Sequence, residues 1–207
     1  MYIDGDVTGA GVKAWVAYNA NAAVELTSGD GTKNITIKFR DDANNESAVA
    51  QDVVLLDTTG PANEAITLNG TGMSIEYTPT VSVAVDLYAT DATSVYQMYI
   101  DGDVTGAGVK AWVAYNAAPT IELTSGDGLK TVSVQFRDQS LNESGVAQDT
   151  ITLDTTTPVN GGVTINTIGD DKWHTPTTNI NLSIAATDTN LYEMWIDGDV
   201  TGTGVKA

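Results

Sequence analysis

Cysteine is absent from the 207 residues, which excludes a disulfide framework and any thiolate metal or redox site. Histidine occurs once, at His174, so neither a histidine-based triad nor a multi-histidine zinc site can form; it reads as an exposed loop residue. Basic residues are scarce. The chain has 9 Lys and Arg against 27 Asp and Glu, a formal net charge of −18 and a pI near 4.1. Such a surface repels phosphate backbones and anionic lipid and attracts cations, which argues against nucleic acid as a partner. No apolar run approaches the ~18 residues of a membrane helix, so membrane insertion is not expected. No charged-then-apolar leader opens the chain. Met1 matches Met98 and Met194 in a repeated phrase, so it reads as an internal residue and the chain as an excerpt of a longer one.

What the chain does have is repetition. "MYIDGDVTGAGVKA" stands at 1–14 and again at 98–111, and "MWIDGDVTGTGVKA" stands at 194–207. The spacings are 98 − 1 = 97 and 194 − 98 = 96 residues. Between these phrases, "ELTSGDGTKNITIKFRDDANNESAVAQD" at 25–52 faces "ELTSGDGLKTVSVQFRDQSLNESGVAQD" at 122–149, and "LDTTGP" at 56–61 faces "LDTTTP" at 153–158. A period this long is a small domain, not a solenoid unit.

Within one period the apolar pattern alternates. Val81, Val83, Val85, Leu87 and Ala89 share one face of a strand, and Val132, Val134 and Phe136 share one face of another. Asp-Gly, Ser-Gly-Asp-Gly and Thr-Pro turn signals recur between such runs, and nothing carries a helical period. Seven strands are predicted between 61 and 157, roughly at 65–69, 80–90, 95–101, 110–116, 120–124, 130–137 and 146–154. Seven short alternating strands in one period predict an all-β fold of tandem immunoglobulin-like β-sandwiches, about 97 residues each.

The stretch Ser125–Asp138, then Asn142–Ser144, then Asp149–Pro158, resembles the bacterial immunoglobulin-like (fibronectin III-like) repeats strung in tandem through large surface proteins, adhesins and phage fibres. The preceding repeat carries the same resemblance, which covers nearly the whole chain. One departure falls around Asn45 and Leu141, where a turn glycine usual in that family is missing. The resemblance implies domains that begin after the "DTTxP" junction: 1–60 as the C-terminal half of one repeat, 61–157 as a complete repeat, and 158–207 as the N-terminal half of a third. It also implies a non-enzymatic spacer or adhesive module, at the cell surface, outside the cell or in a phage virion fibre. Its partners would be neighbouring repeats of the same chain or filament. The other readings are a glycan-binding module for cell-surface sugars and an accessory domain of a secreted hydrolase.

The acidic motifs are the candidate chemistry. "DGDVTG" places Asp4 and Asp6, Asp101 and Asp103, and Asp197 and Asp199 as the first ligands of a helical calcium loop would stand, but Trp15 and Trp112 occupy the position of the bidentate Glu. An EF-hand is excluded. The motif is then either the turn of a hairpin or part of another cation site. An immunoglobulin-like topology would gather Asp4, Asp6, Asp30 and Asp57 at the trailing pole of one domain, facing Asp91, Asp138 and Glu143 at the leading pole of the next. At the second junction Asp101, Asp103, Asp127 and Asp154 would face Asp188. Such a seam is either a solvated acidic rim or an interdomain calcium site.

Other features point to structure. Paired Asp residues suit glycoside hydrolysis, yet a pair copied once per repeat in a turn is not an active site. Trp15, Trp112, Tyr18, Tyr115, Tyr2, Tyr99 and Trp195 form either cross-strand packing or a sugar-stacking strip. Asn34, Asn45, Asn69, Asn142 and Asn181 head glycosylation sequons. Lys13 and Lys110 have no identifiable partner for an isopeptide bond.

Overall fold

The computed structural model describes residues 1–166 and 174–201, and none of these lies in an α-helix. The first segment carries β1 (Tyr2–Gly5), β2 (Val7–Thr8), β3 (Glu25–Leu26), β4 (Gly31–Lys38) and β5 (Ala50–Leu56). They form a three-stranded sheet in the order β1-β4-β5 and a separate β2-β3 pair. The middle segment carries β6 (Ala62–Asn69), β7 (Tyr77–Thr78), β8 (Ser82–Thr90), β9 (Gln97–Gly102), β10 (Val104–Thr105), β11 (Val113–Ala114), β12 (Thr120–Leu123), β13 (Gly128–Arg137) and β14 (Glu143–Leu153). The last segment carries β15 (Val159–Asn166) and β16 (Asn181–Thr187), which pair with each other.

In the middle segment a four-stranded sheet, β10-β12-β8-β6, faces a five-stranded sheet, β11-β9-β13-β14-β7. The arrangement is sandwich-like, and alternation explains it. Val83, Val85 and Leu87 from one sheet meet Val132, Val134 and Phe136 from the other, with Ile66, Leu68, Ile100, Ile121, Leu123, Ile151 and Leu153 closing one buried cluster. Their neighbours in sequence point outward, as the pleat requires. The sheets are also tied by a polar bond across them: the Leu68 N–H donates to Asp149 Oδ2 at 2.8 Å.

Three sequence expectations change. The strand expected at 110–116 is only Val113–Ala114, and β7 and β10 appear where no strand was expected. Both are two residues long, too short for any alternation to register; β7 lies parallel to β14, with Tyr77 opposite Thr152. The third change concerns "DGD", which is not the turn of a simple hairpin. It is a corner at which the chain leaves the five-stranded sheet at β9 and joins the other sheet at β10. Gly102 takes φ 107°, and a Cβ there would collide with the Thr131 carbonyl, so only glycine fits. Asp103 then clasps β13, its N–H donating to Thr131 O and its Oδ2 accepting from Thr131 N, both at 2.9 Å. Gly5 and Asp6 build the same corner against Asn34.

Candidate metal centre

The site grows from the linker "DTTGP". Asp30, in the turn before β4, accepts from Thr58 N at 3.0 Å, Thr58 Oγ1 at 2.7 Å and, through its other oxygen, Thr59 Oγ1 at 2.7 Å. The hydroxyl bonds from Thr59 and Thr58 hold its carboxyl below the ordinary value. Asp127 repeats the clasp on Thr155 and Thr156 at the next linker, where the hydroxyls of Thr156 and Thr155 bring its pKa down to about 2. Each linker is thereby fastened to the segment it leaves.

The linker is also held by the segment it enters. Asn142, in the loop between β13 and β14, donates its Nδ2 to the Asp57 carbonyl at 3.0 Å. Thr93, in the loop between β8 and β9, has its hydroxyl 2.8 Å from Asp57 Oδ2 and 2.7 Å from Asp91 Oδ1, so its one proton is shared between the two carboxylates. Gly60 lies so close to the Glu143 backbone that no side chain fits there.

These contacts bring three carboxylates together. Asp57, Asp91 and Asp138 each offer an oxygen, and the three oxygens lie within 4.8 Å of one another. Asp138 is fully buried, oriented by Asn142, whose N–H reaches Oδ1 at 2.9 Å and whose Nδ2 reaches Oδ2 at 2.8 Å. At Asp91 burial pushes the pKa up, but the bonds from the Thr93 hydroxyl and the Thr93 and Ser94 N–H groups outweigh it and leave a net lowering. Among the described residues no ion pair reaches any of the three. A calcium ion with oxygens at about 2.3–2.6 Å keeps its ligands within about 5 Å of one another. An all-oxygen, all-anionic donor set suits such a hard cation and not a softer metal.

The other candidate acids go elsewhere. Asp6 and Asp103 are spent on the corner clasps, Asp30 and Asp127 on the linker clasps. Asp4 and Asp101 bind the N–H groups of Gly5 and Gly102 and lie 3.9 and 3.8 Å from Lys13 and Lys110, in exposed pairs of little energetic weight. Glu143 is exposed and accepts from Gln135 Nε2 at 3.2 Å. At the second junction Asn190 donates its N–H to Asp188 and its Nδ2 to Asp154 Oδ2, at 2.8 and 3.0 Å. The third copy of "DGDVTG" ends at Gly202, outside the described residues, as do 167–173 and 203–207. His174 is exposed.

Thr93 escaped the sequence reading, and Asn142 entered it only as a sequon and within the repeat motif, not as part of the seam. Their signal was there: "DAT" at 91–93 is a short carboxylate-hydroxyl turn, and the Asp138–Asn142 spacing recurs at Asp41–Asn45. Tyr2, Trp15, Tyr18, Tyr99, Trp112 and Tyr115 each pack on another ring. Tyr99 lies 5.5 Å from Trp112, and the Arg137 guanidinium covers a face of Trp112 at 4.4 Å. Tyr2, Trp15 and Arg40 repeat the stack. No protein-family model matches the chain, and no curated protein matches it.

Proposed function

We propose that the chain is a run of immunoglobulin-like repeats serving as a structural spacer in a long extracellular fibre, adhesin or stalk, with its junction stiffened by calcium. The reading rests chiefly on the hold upon the first linker from both sides, by Asp30 behind and by Asn142 and Thr93 ahead. A rod is only as stiff as its joints, and a spacer needs linkers that do not swivel. The cation part is supported by the donor set of Asp57, Asp91 and Asp138, with the Thr93 hydroxyl beside them. Three carboxylates so close repel one another unless a cation offsets them.

Small-angle scattering and melting of the 207-residue chain, with calcium and with chelator, test this. Calcium at a hundredfold over its Kd adds about 2.7 kcal/mol to whatever state binds it, and extracellular modules bind at about 10⁻⁴–10⁻³ M. Calcium is expected to raise Tm and narrow the distribution of interdomain distances, and Asp57→Ala to remove both effects. If chelator changes neither, the seam is hydrogen-bonded without a metal. Saturable binding on a glycan array would instead favour the sugar-binding reading.

A further inference from the structure

The outward face of strands β9, β13 and β14 carries a groove that neither the core nor the linkers use. Met98, Ile100, Val132, Val134 and Phe136 point into the core, so the pleat sends Tyr99, Asp101, Ser133 and Gln135 to the other side. Register aligns them in two rows across the three strands: Tyr99, Gln135 and Val146, then Asp101, Ser133 and Gln148. Beside the rows stands Trp112, its ring 5.5 Å from that of Tyr99 and covered on one face by the Arg137 guanidinium at 4.4 Å. Arg137 Nε in turn donates to Gln97 Oε1 at 2.7 Å, which fixes the stack. The short Ser133 and the Gln135 beside it thus lie between an aromatic ridge and the exposed Val146.

Residues 1–60 repeat the groove on the same outward face. There it is a cleft of about 490 Å³, with Tyr2 and Trp15 on one side, Glu46 and Val49 on the other and Thr36 and Lys38 as its floor. Tyr2 stands opposite Lys38 and Asp4 opposite Thr36, as Tyr99 and Asp101 stand opposite Gln135 and Ser133. The volume lies within the roughly 300–1,000 Å³ of small-ligand sites. The aromatic residues of the sequence therefore divide. Tyr115 packs on the buried Phe136 at 5.7 Å and donates its hydroxyl to Leu87 O at 3.2 Å, inside the sandwich, whereas the two Tyr–Trp pairs stand outside it.

The groove is close to neutral in a chain of net charge −18. Asp4 has Lys13 at 3.9 Å, Glu46 has Lys38 at 3.4 Å and Asp101 has Lys110 at 3.8 Å; Glu143 accepts from Gln135 Nε2 at 3.2 Å. A cation gains little there, and the acidic surroundings repel an anion. What fits is a neutral ligand with an apolar face and a rim of hydroxyls, which describes a pyranose ring. Its C–H face packs on Tyr and Trp, while its hydroxyls donate to the carboxylates and accept from the Lys38 ammonium or the Gln135 carboxamide. We infer that the Tyr2–Trp15 and Tyr99–Trp112 grooves are two equivalent subsites for neutral pyranose units of a polysaccharide. They stand one period apart on one chain, so a polymer that engages both binds about 10²–10⁴-fold more tightly than a single ring does. Such grooves add adhesion to a spacer and need neither its stiffness nor its cation.

Affinity electrophoresis of the 207-residue chain through gels holding a neutral glucan, galactan or mannan, or an anionic galacturonan, tests this. Retardation by at least one neutral polymer and not by the anionic one is expected. Trp15→Ala with Trp112→Ala removes the aromatic ridges and is expected to abolish it. Because those rings also pack on the sheet, Thr36→Tyr with Ser133→Tyr gives the decisive arm. Both positions face outward, tyrosine suits a strand, and its ring fills the floor. This variant is expected to keep its Tm and lose retardation. Ser133→Tyr alone is expected to weaken polymer binding at least tenfold and, by calorimetry with an oligosaccharide of the same sugar, to halve the number of sites. Retardation by no neutral polymer, retardation by the galacturonan alone, or retardation that survives the filled floor overturns the inference. A chain that calcium stiffens but that binds no sugar loses only these subsites; one that binds sugar but does not respond to calcium loses only the calcium-stiffened spacer.

Discussion

Residues 31–56 and 128–153 are identical at half of their positions and form the same strand pair, yet they sit in different environments. In β13 and β14 the inward side chains are buried; in β4 and β5 Ile35 and Ile37 are half-buried and Val54 is exposed. The Asp138 carboxylate is buried beside Asp57 and Asp91, whereas its counterpart Asp41 is exposed and bonded within its own loop. What differs is the presence of β6 and β8. The features that stay the same are those made wholly within 1–59 and its copy 98–156: the Gly-Asp corner, the clasp on the linker and the Arg-on-Trp stack. Core burial and the acidic centre are non-local; corners and clasps are made among the repeat's own strands and turns.

The sharpest test of that division is the aromatic pair in the two strands. Phe136→Ala is expected to cost about 3–5 kcal/mol, as large core truncations do. At about 4–8 °C per kcal/mol for a domain of this size, Tm of the middle segment falls by more than 10 °C. Phe39→Ala is expected to cost only about 1–2 kcal/mol, because Phe39 stays 40% exposed and buries correspondingly less apolar surface on folding. Amide exchange in β4 and β13 reads both. Equal costs would mean that the first segment buries its face after all.

The corner glycines should behave the opposite way. Gly102→Ala and Gly5→Ala both force a Cβ at positive φ into a carbonyl of the neighbouring strand. Each is expected to cost about 2 kcal/mol, within the range for strained backbone. Gly106→Ala, at φ 96° with open space around it, should cost only about 1 kcal/mol. A Gly5 effect much smaller than the Gly102 effect would show that the corner too depends on the missing strands.

Acid titration probes the linker clasps. The folded pKa of Asp127 is lowered from 3.8 to about 2, so its contribution is fully present above its ordinary value and is lost as pH falls from about 4 through 2. Asp127→Asn is expected to lower Tm slightly at neutral pH and to flatten the fall of Tm across that window. Asp30, lowered by the same kind of bonds, should give the same direction in Asp30→Asn. An unchanged slope would mean that the threonine bonds do not persist in solution.

The smallest effect is expected at the loop where the sequence lacks the usual glycine. Leu141 takes φ 67° and Asn44, its counterpart, φ 65°. Leucine tolerates this region poorly and asparagine better. Leu141→Gly should raise the Tm of the middle segment by a few degrees, the relief of about 1 kcal/mol being partly offset by glycine's greater freedom when unfolded. Asn44→Gly should be close to neutral. A loss of stability in Leu141→Gly would assign the exposed leucine a packing role that its surroundings do not suggest.

By itself the sequence determined the β character, the period, the inward faces and the scarcity of cations, because alternation, turn residues and charge are local or additive properties. It also named Asp57, Asp91 and Asp138 among the acids of one seam. Only the tertiary structure separated these three from Asp4, Asp6 and Asp30, since whether a carboxylate faces its neighbours or bonds a strand or linker 28 residues away depends on how sheets and turns meet in space. The two-residue strands β7 and β10 and the corner at Gly102 were beyond reach for the same reason. Their partners lie in distant strands, and a contact made by two residues leaves no pattern along the chain.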